Sequence, residues 1–113
     1  MTAPLKILVV DDDDVDRMTV RRSLQRSVLD FVLTEAVNGV EALKACETDK
    51  FDCVFLDYRL PDADGADIFR TMLADHDSEA AVVFLTGEED EDLALQLMGL
   101  GAVDYLNKAE ISP

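Results

Sequence analysis

Leu5 to Val10 is apolar except for Lys6, an almost unbroken run that suits a strand buried on both faces of a parallel sheet, and it stops at Asp11. The pattern then changes. From Asp13 to Val28, apolar residues at Val15, Met18, Val20, Leu24 and Val28 recur at roughly helical spacing. Acidic residues stand at the start, where the helix dipole favours them, and arginines follow. Val32 to Val37 reads as a second strand, Asn38-Gly39 as a turn, and Val40, Leu43, Ala45 and Cys46 as one side of a short helix. Phe51 to Leu56 is the third apolar run, and it too ends at an aspartate, Asp57. A loop with Pro61 and Gly65 leads to a helix over 66–73, then to the run Ala80 to Leu85, closed by Thr86-Gly87. Acidic residues Glu88 to Asp92 open a fourth helix containing Leu93, Leu95, Leu97, Met98 and Leu100. Gly101 leads into a last short strand, Val103 to Leu106.

Strand and helix alternate throughout, which predicts an α/β fold: a parallel sheet with helices on both faces and right-handed crossovers. Sites in such sheets form beyond the carboxyl ends of the strands. Asp11, Asp12, Asp57, Thr86 and Lys108 all lie at or just past a strand end and should converge there.

Composition narrows the reading. A chain of 113 residues is one domain, and 49% apolar residues supply a core. The formal charge of −15 repels phosphate backbones and anionic lipid, so direct nucleic-acid and membrane partners are not expected. Cys46 and Cys53 read as reduced core thiols, with no further Cys or clustered His for a soft metal site. The first ten residues lack the apolar stretch of a secretory signal or a membrane span, which fits the cytoplasm. His76, between Asp75 and Asp77, reads as a solvated residue, and Leu93, Leu97 and Leu100 as core contacts.

Three carboxylates at one sheet edge repel one another, and burial raises their pKa values unless a cation compensates. With oxygen ligands alone, Mg²⁺ is the ion of choice, because it binds few carboxylates and accepts phosphate oxygens. Asp57 is the candidate nucleophile, since an ionised carboxylate takes a phosphoryl group without a general base. Lys108 and the Thr86 hydroxyl would neutralise the transferring oxygens. Taken singly, each residue has a plainer reading: Asp13 and Asp14 as an acidic helix start, Asp57 as a turn residue, Thr86 as a helix cap, Lys108 as a solvated charge. Four strand ends carrying the required chemical types in order argue for the joint reading. Arg59 and Glu88, two positions beyond Asp57 and Thr86, should face the mouth of the site and modulate the lifetime of an acyl phosphate.

These residues resemble the receiver domain of two-component response regulators, from about Leu5 to Lys108. Ile7-Leu8-Val9-Val10-Asp11-Asp12-Asp13 is similar to the first strand and acidic pair of that family. Phe55-Leu56-Asp57-Tyr58-Arg59-Leu60-Pro61-Asp62-Ala63-Asp64-Gly65 is similar to its phosphoacceptor loop. Phe84-Leu85-Thr86-Gly87 and Gly101-Ala102-Val103-Asp104-Tyr105-Leu106-Asn107-Lys108 are similar to its last two strands. The resemblance implies a flavodoxin-like doubly wound sheet of five parallel strands in the order 2-1-3-4-5. It also implies Mg²⁺ held by Asp11, Asp12, Asp57 and the backbone carbonyl of Arg59. A histidine kinase or phosphotransfer protein would be the donor, and an output domain or downstream protein the recipient of the signal. Thr86 and Tyr105 would act as the switch pair, altering the surface of the fourth helix and fifth strand.

Two departures stand out. Lys108 is followed by Ala109 where the family commonly has proline, which leaves the placement of Lys108 open. Receiver domains also end with a fifth helix, whereas this chain stops at Pro113, so 1–113 reads as a receiver domain truncated before that helix. Self-association through the uncovered face, or through the fourth helix and fifth strand, is the associated expectation. The domain is expected to be a switch that assists its own phosphorylation and dephosphorylation rather than an enzyme. The alternatives are an aspartate-dependent phosphohydrolase with Asp11 as nucleophile, and an interaction module that takes no phosphate.

Overall fold

Each apolar run of the sequence becomes a strand, and all five strands join one parallel sheet in the order β2-β1-β3-β4-β5. The computed structural model describes residues 3–75, 79–87 and 90–111. In chain order the elements are β1 (Leu5–Val10), α1 (Asp14–Gln25), β2 (Phe31–Ala36), α2 (Gly39–Thr48) and β3 (Cys53–Asp57). They continue as α3 (Gly65–Asp75), β4 (Ala81–Thr86), α4 (Glu91–Leu100) and β5 (Asp104–Asn107), with a short 3-10 turn at Lys108–Glu110. The flavodoxin-like order expected from the resemblance is the observed one, with four α-helices among the described residues.

Alternation along the strands separates two apolar layers. Leu8 and Val10 of β1, Val54 and Leu56 of β3, and Val82 and Phe84 of β4 point to one face. There they meet Ala42 of α2, Ile68, Phe69 and Met72 of α3, and Leu97 of α4. Phe69 and Phe84 pack edge to face with ring centroids 5.7 Å apart, a favoured geometry for two aromatic rings. The other face carries Ile7, Val9 and Leu85 under Val20 and Leu24 of α1, while Cys53, Phe55 and Leu106 are only partly buried. One sheet face is thus covered by three helices and the other, among the described residues, by α1 alone.

The register aligns the carboxyl ends. Val10 lies opposite Leu56, Asp57 opposite Leu85, and Thr86 opposite Asn107. The polar residues that follow these positions are therefore brought to one edge.

Several element limits differ from the sequence reading, each for a local reason. α1 ends at Gln25 rather than Val28, because Ser27 bonds back to the Leu24 carbonyl and the chain turns toward β2. Val28 is fully exposed. Asn38-Gly39 is a helix start, not a turn: the Asn38 side chain accepts the Glu41 N–H at 2.8 Å and caps α2. Phe51 is a buried core residue just ahead of β3. α4 ends as the sequence suggests, on Gly101 in the left-handed conformation (φ 111°), whose N–H bonds back to the last turn. His76 lies outside the described residues. Cys46 and Cys53 are free and half-buried, and burial pushes both thiols up in pKa.

Candidate functional site

Three segments meet at the carboxyl edge of the sheet. β1 delivers Asp11 and, one residue on, Asp12; β3 ends on Asp57; and β5 runs into Lys108. Carboxylate oxygens of Asp11, Asp12 and Asp57 all lie within 4.8 Å of one another, with Asp11 and Asp57 buried and Asp12 exposed. Lys108 Nζ sits 2.8 Å from Asp11 Oδ2, 2.9 Å from Asp16 Oδ2 and 3.2 Å from Asp57 Oδ2. The open question of how Lys108 is placed without a following proline has a direct answer: the side chain reaches the cluster. Among the described residues no peptide bond is cis.

The electrostatics follow from this crowding. Burial, reinforced by the neighbouring Asp11 charge, pushes Asp57 up to about 6, against the opposing pull of Lys108 and of the Arg59 N–H. Burial also raises Asp11, although Lys108 and the Asp13 N–H oppose it. Burial alone would pull the Lys108 ammonium down, but its carboxylate partners hold it above the ordinary lysine value. Asp11 Oδ2 is buried, and the Lys108 ammonium is its charged neighbour. Three carboxylates within reach of one another, with no nitrogen or sulfur ligand grouped with them among the described residues, fit a hard divalent cation.

The remaining predicted residues fall in three groups. Thr86, only 5% exposed, closes β4 one residue past the partner of Asp57, and Tyr105 lies half-buried on β5 opposite Phe84. Arg59 is exposed in the loop after β3, where its N–H donates to Asp57 Oδ1 at 3.2 Å and it forms a bridge with Asp64. Glu88 lies outside the described residues. Asp13 and Asp14 take their plainer roles: Asp13 caps α1 by accepting the Val15 N–H, and Asp14 pairs with Arg17.

The sequence reading missed three contributors. Arg17, 8% exposed, donates through Nη1 to the Asp11 carbonyl at 2.6 Å and through Nε to Glu35, which fixes the main chain at the end of β1. Asp62 accepts the Gly39 and Val40 N–H groups at 2.8 and 3.0 Å, tying the loop after β3 to the start of α2. Those bonds hold its carboxyl below the usual range. Asp16 shares Lys108 with the cluster. One of three arginines in an amphipathic helix and two aspartates among 25 acidic residues give no pattern that singles them out.

The family model described as the response regulator receiver domain matches residues 7–112. The chain belongs to this family. It is 36% identical over 103 residues to the alkaline phosphatase synthesis transcriptional regulatory protein PhoP of Bacillus subtilis, covering 91% of this chain and 42% of that protein. The response regulator Rcp1, solved in a Mn²⁺-bound form, superposes with a TM-score of 0.84 at 26% identity, covering 95% of this chain and 83% of that one. A response regulator from Burkholderia pseudomallei, solved with a phosphorylated aspartic acid, a calcium ion and citrate, gives a TM-score of 0.78 at 32% identity. That match covers 92% of this chain and 59% of the other. The chain spans less than half the length of the first curated relatives it matches. Among the described residues no helix is long and apolar enough to cross a membrane.

Proposed function

We propose that the chain is a cytoplasmic phosphoacceptor that takes one phosphoryl group on the Asp57 carboxylate from a histidine kinase or phosphotransfer protein. The observation that carries this reading is the buried Asp57 at the carboxyl edge of the sheet, 3.2 Å from Lys108 and grouped with Asp11 and Asp12. An oxygen of Asp57 attacks phosphorus, the bond from phosphorus to the donor imidazole breaks, and the imidazole leaves with the electron pair. Lys108 is placed to receive an oxygen of the transferring group, and the Thr86 hydroxyl, next to it on β4, to receive another. Asp11, Asp12, Asp57 and the Arg59 carbonyl would hold Mg²⁺, which supplies positive charge to the phosphoryl oxygens when bound. Support comes from the three grouped carboxylates and from relatives solved with manganese or calcium.

The response is a change of surface. Movement of Thr86 toward the new phosphoryl group vacates space beside β5, Tyr105 turns inward, and the surface of α4 and β5 is altered for an output domain or downstream protein. Arg59, at the mouth of the site, governs water access to the acyl phosphate, together with Glu88. Intact-mass measurement after treatment with a small acyl phosphate and Mg²⁺ tests the reading. One added phosphoryl group, absent from Asp57→Asn, is the expected result. Turnover to inorganic phosphate with no adduct would mean a hydrolase, and no reaction would mean an interaction module; either contradicts it.

A further inference from the structure

Asp16 belongs to none of the roles assigned so far, yet it bonds Lys108 directly. Lys108 Nζ donates to Asp16 Oδ2 at 2.9 Å and to Asp57 Oδ2 at 3.2 Å. Its contact with Asp11 Oδ2 is at 2.8 Å. Asp16 comes from the first turn of α1, and its side chain is 31% exposed, so the bond is sheltered but reachable from solvent. Asp16 and Lys108 also line a small cavity of about 50 Å³ with Thr19, Val20, Leu85 and Ile111, on the sheet face that α1 covers.

A lysine ammonium is a point charge on a flexible stem with three donors, and its position is set by its partners rather than by its own geometry. With only Asp11 and Asp57 as neighbours, it would be drawn down onto the two buried carboxylates and close on the nucleophile. Asp16 pulls from the side. The ammonium thus sits among three carboxylates, 2.8 Å from Asp11, 2.9 Å from Asp16 and 3.2 Å from Asp57. Of the three carboxylates that touch Lys108, Asp16 is also the one outside the group able to hold a metal ion.

We infer that Asp16 is a positioning residue for phosphoryl transfer: by bonding Lys108, it keeps the ammonium beside Asp57, where an incoming phosphoryl oxygen can meet it. The inference rests on the phosphoacceptor reading above. Phosphorylation rates with a small acyl phosphate and Mg²⁺, over a range of donor concentrations, compare the parent with Asp16→Ala and Asp16→Asn. Misplacing Lys108 should lower the maximal rate of the alanine variant by about 10-fold, with little change in the half-saturating donor concentration. The asparagine variant should fall between, since its amide oxygen still accepts from Nζ. In protein labelled with ¹⁵N-lysine, the Lys108 ammonium resonance should be retained in the parent and lost or broadened in Asp16→Ala. A parent that takes no phosphoryl group would overturn the reading beneath the inference. A phosphorylated parent with an equally fast alanine variant would overturn the positioning role alone. So would alanine and asparagine variants equally slow and equally lowered in melting temperature, because that marks a purely structural residue.

Discussion

At the residue scale the site is governed by the cost of burying charge. Asp57, pushed up to about 6, binds a proton more tightly in the folded chain than in the unfolded one. Between the ordinary carboxylate range and pH 6 the folded state therefore holds more protons, and the stability of the metal-free protein falls as pH rises through that window. The raised Asp11 acts in the same direction. Thermal melts from pH 4 to 7.5 without metal should show this decline, and added Mg²⁺ should reverse it at the upper end. A flat profile would contradict the assignment. Asp57→Asn removes the buried charge and should stabilise the metal-free protein at pH 7 by on the order of 2 kcal/mol, while abolishing phosphorylation. A denaturant titration of the two proteins checks the sign. The grouping of Asp11, Asp12, Asp57 and Lys108 was legible in the sequence because each stands at or just past the end of an apolar run. Arg17 and Asp16 were not, because their roles depend on which helix face meets the sheet edge, and periodicity does not identify the partner.

At the element scale the helix ends carry information that hydrophobic pattern alone conceals. Asn38-Gly39 has the composition of a turn, yet three consecutive N–H groups at the start of α2 are satisfied by side chains: Gly39 and Val40 by Asp62, and Glu41 by Asn38. Two of those three bonds go to a loop residue 23 positions away in sequence from Gly39, which no local signal reveals. Asn38→Ala should cost about 1 kcal/mol in a urea melt. Gly65, at the start of α3, is required by closeness of approach. A Cβ there would stand 2.5 Å from the Asp57 carbonyl oxygen and 2.9 Å from Tyr58 Cα, both main-chain atoms that cannot swing aside. Gly65→Ala should destabilise the fold by about 1–3 kcal/mol. It should also slow phosphorylation, since the displaced segment carries Asp57, the proposed phosphoacceptor. A variant that melts and reacts like the parent would show that the loop adjusts freely. The strand order, by contrast, followed from the family resemblance, whereas the alternation of runs by itself predicted only a parallel sheet.

At the scale of the whole molecule, a charge of −15 on one small domain works against the compact state through self-repulsion. Salt shortens the reach of that repulsion from about 30 Å at 0.01 M to about 3 Å at 1 M. The melting temperature of the metal-free protein should therefore rise with added salt, and a fall would mean that specific surface ion pairs dominate instead. The two faces of the sheet are unequal: α2, α3 and α4 cover one, while Cys53, Phe55 and Leu106 on the other remain partly open. That asymmetry leaves the chemistry intact, because the carboxyl edge is built from strand ends common to both layers. The central claim joins this edge to a distant surface: phosphorylation of Asp57 is read out at α4 and β5. Hydrogen exchange followed by mass spectrometry, on the protein with and without an acyl phosphate and Mg²⁺, measures both ends at once. The account predicts one phosphoryl group on the peptide containing Asp57 and altered exchange in peptides spanning 81–107. A phosphorylated Asp57 peptide with unchanged exchange across 81–107, or an unmodified Asp57 peptide, would contradict it.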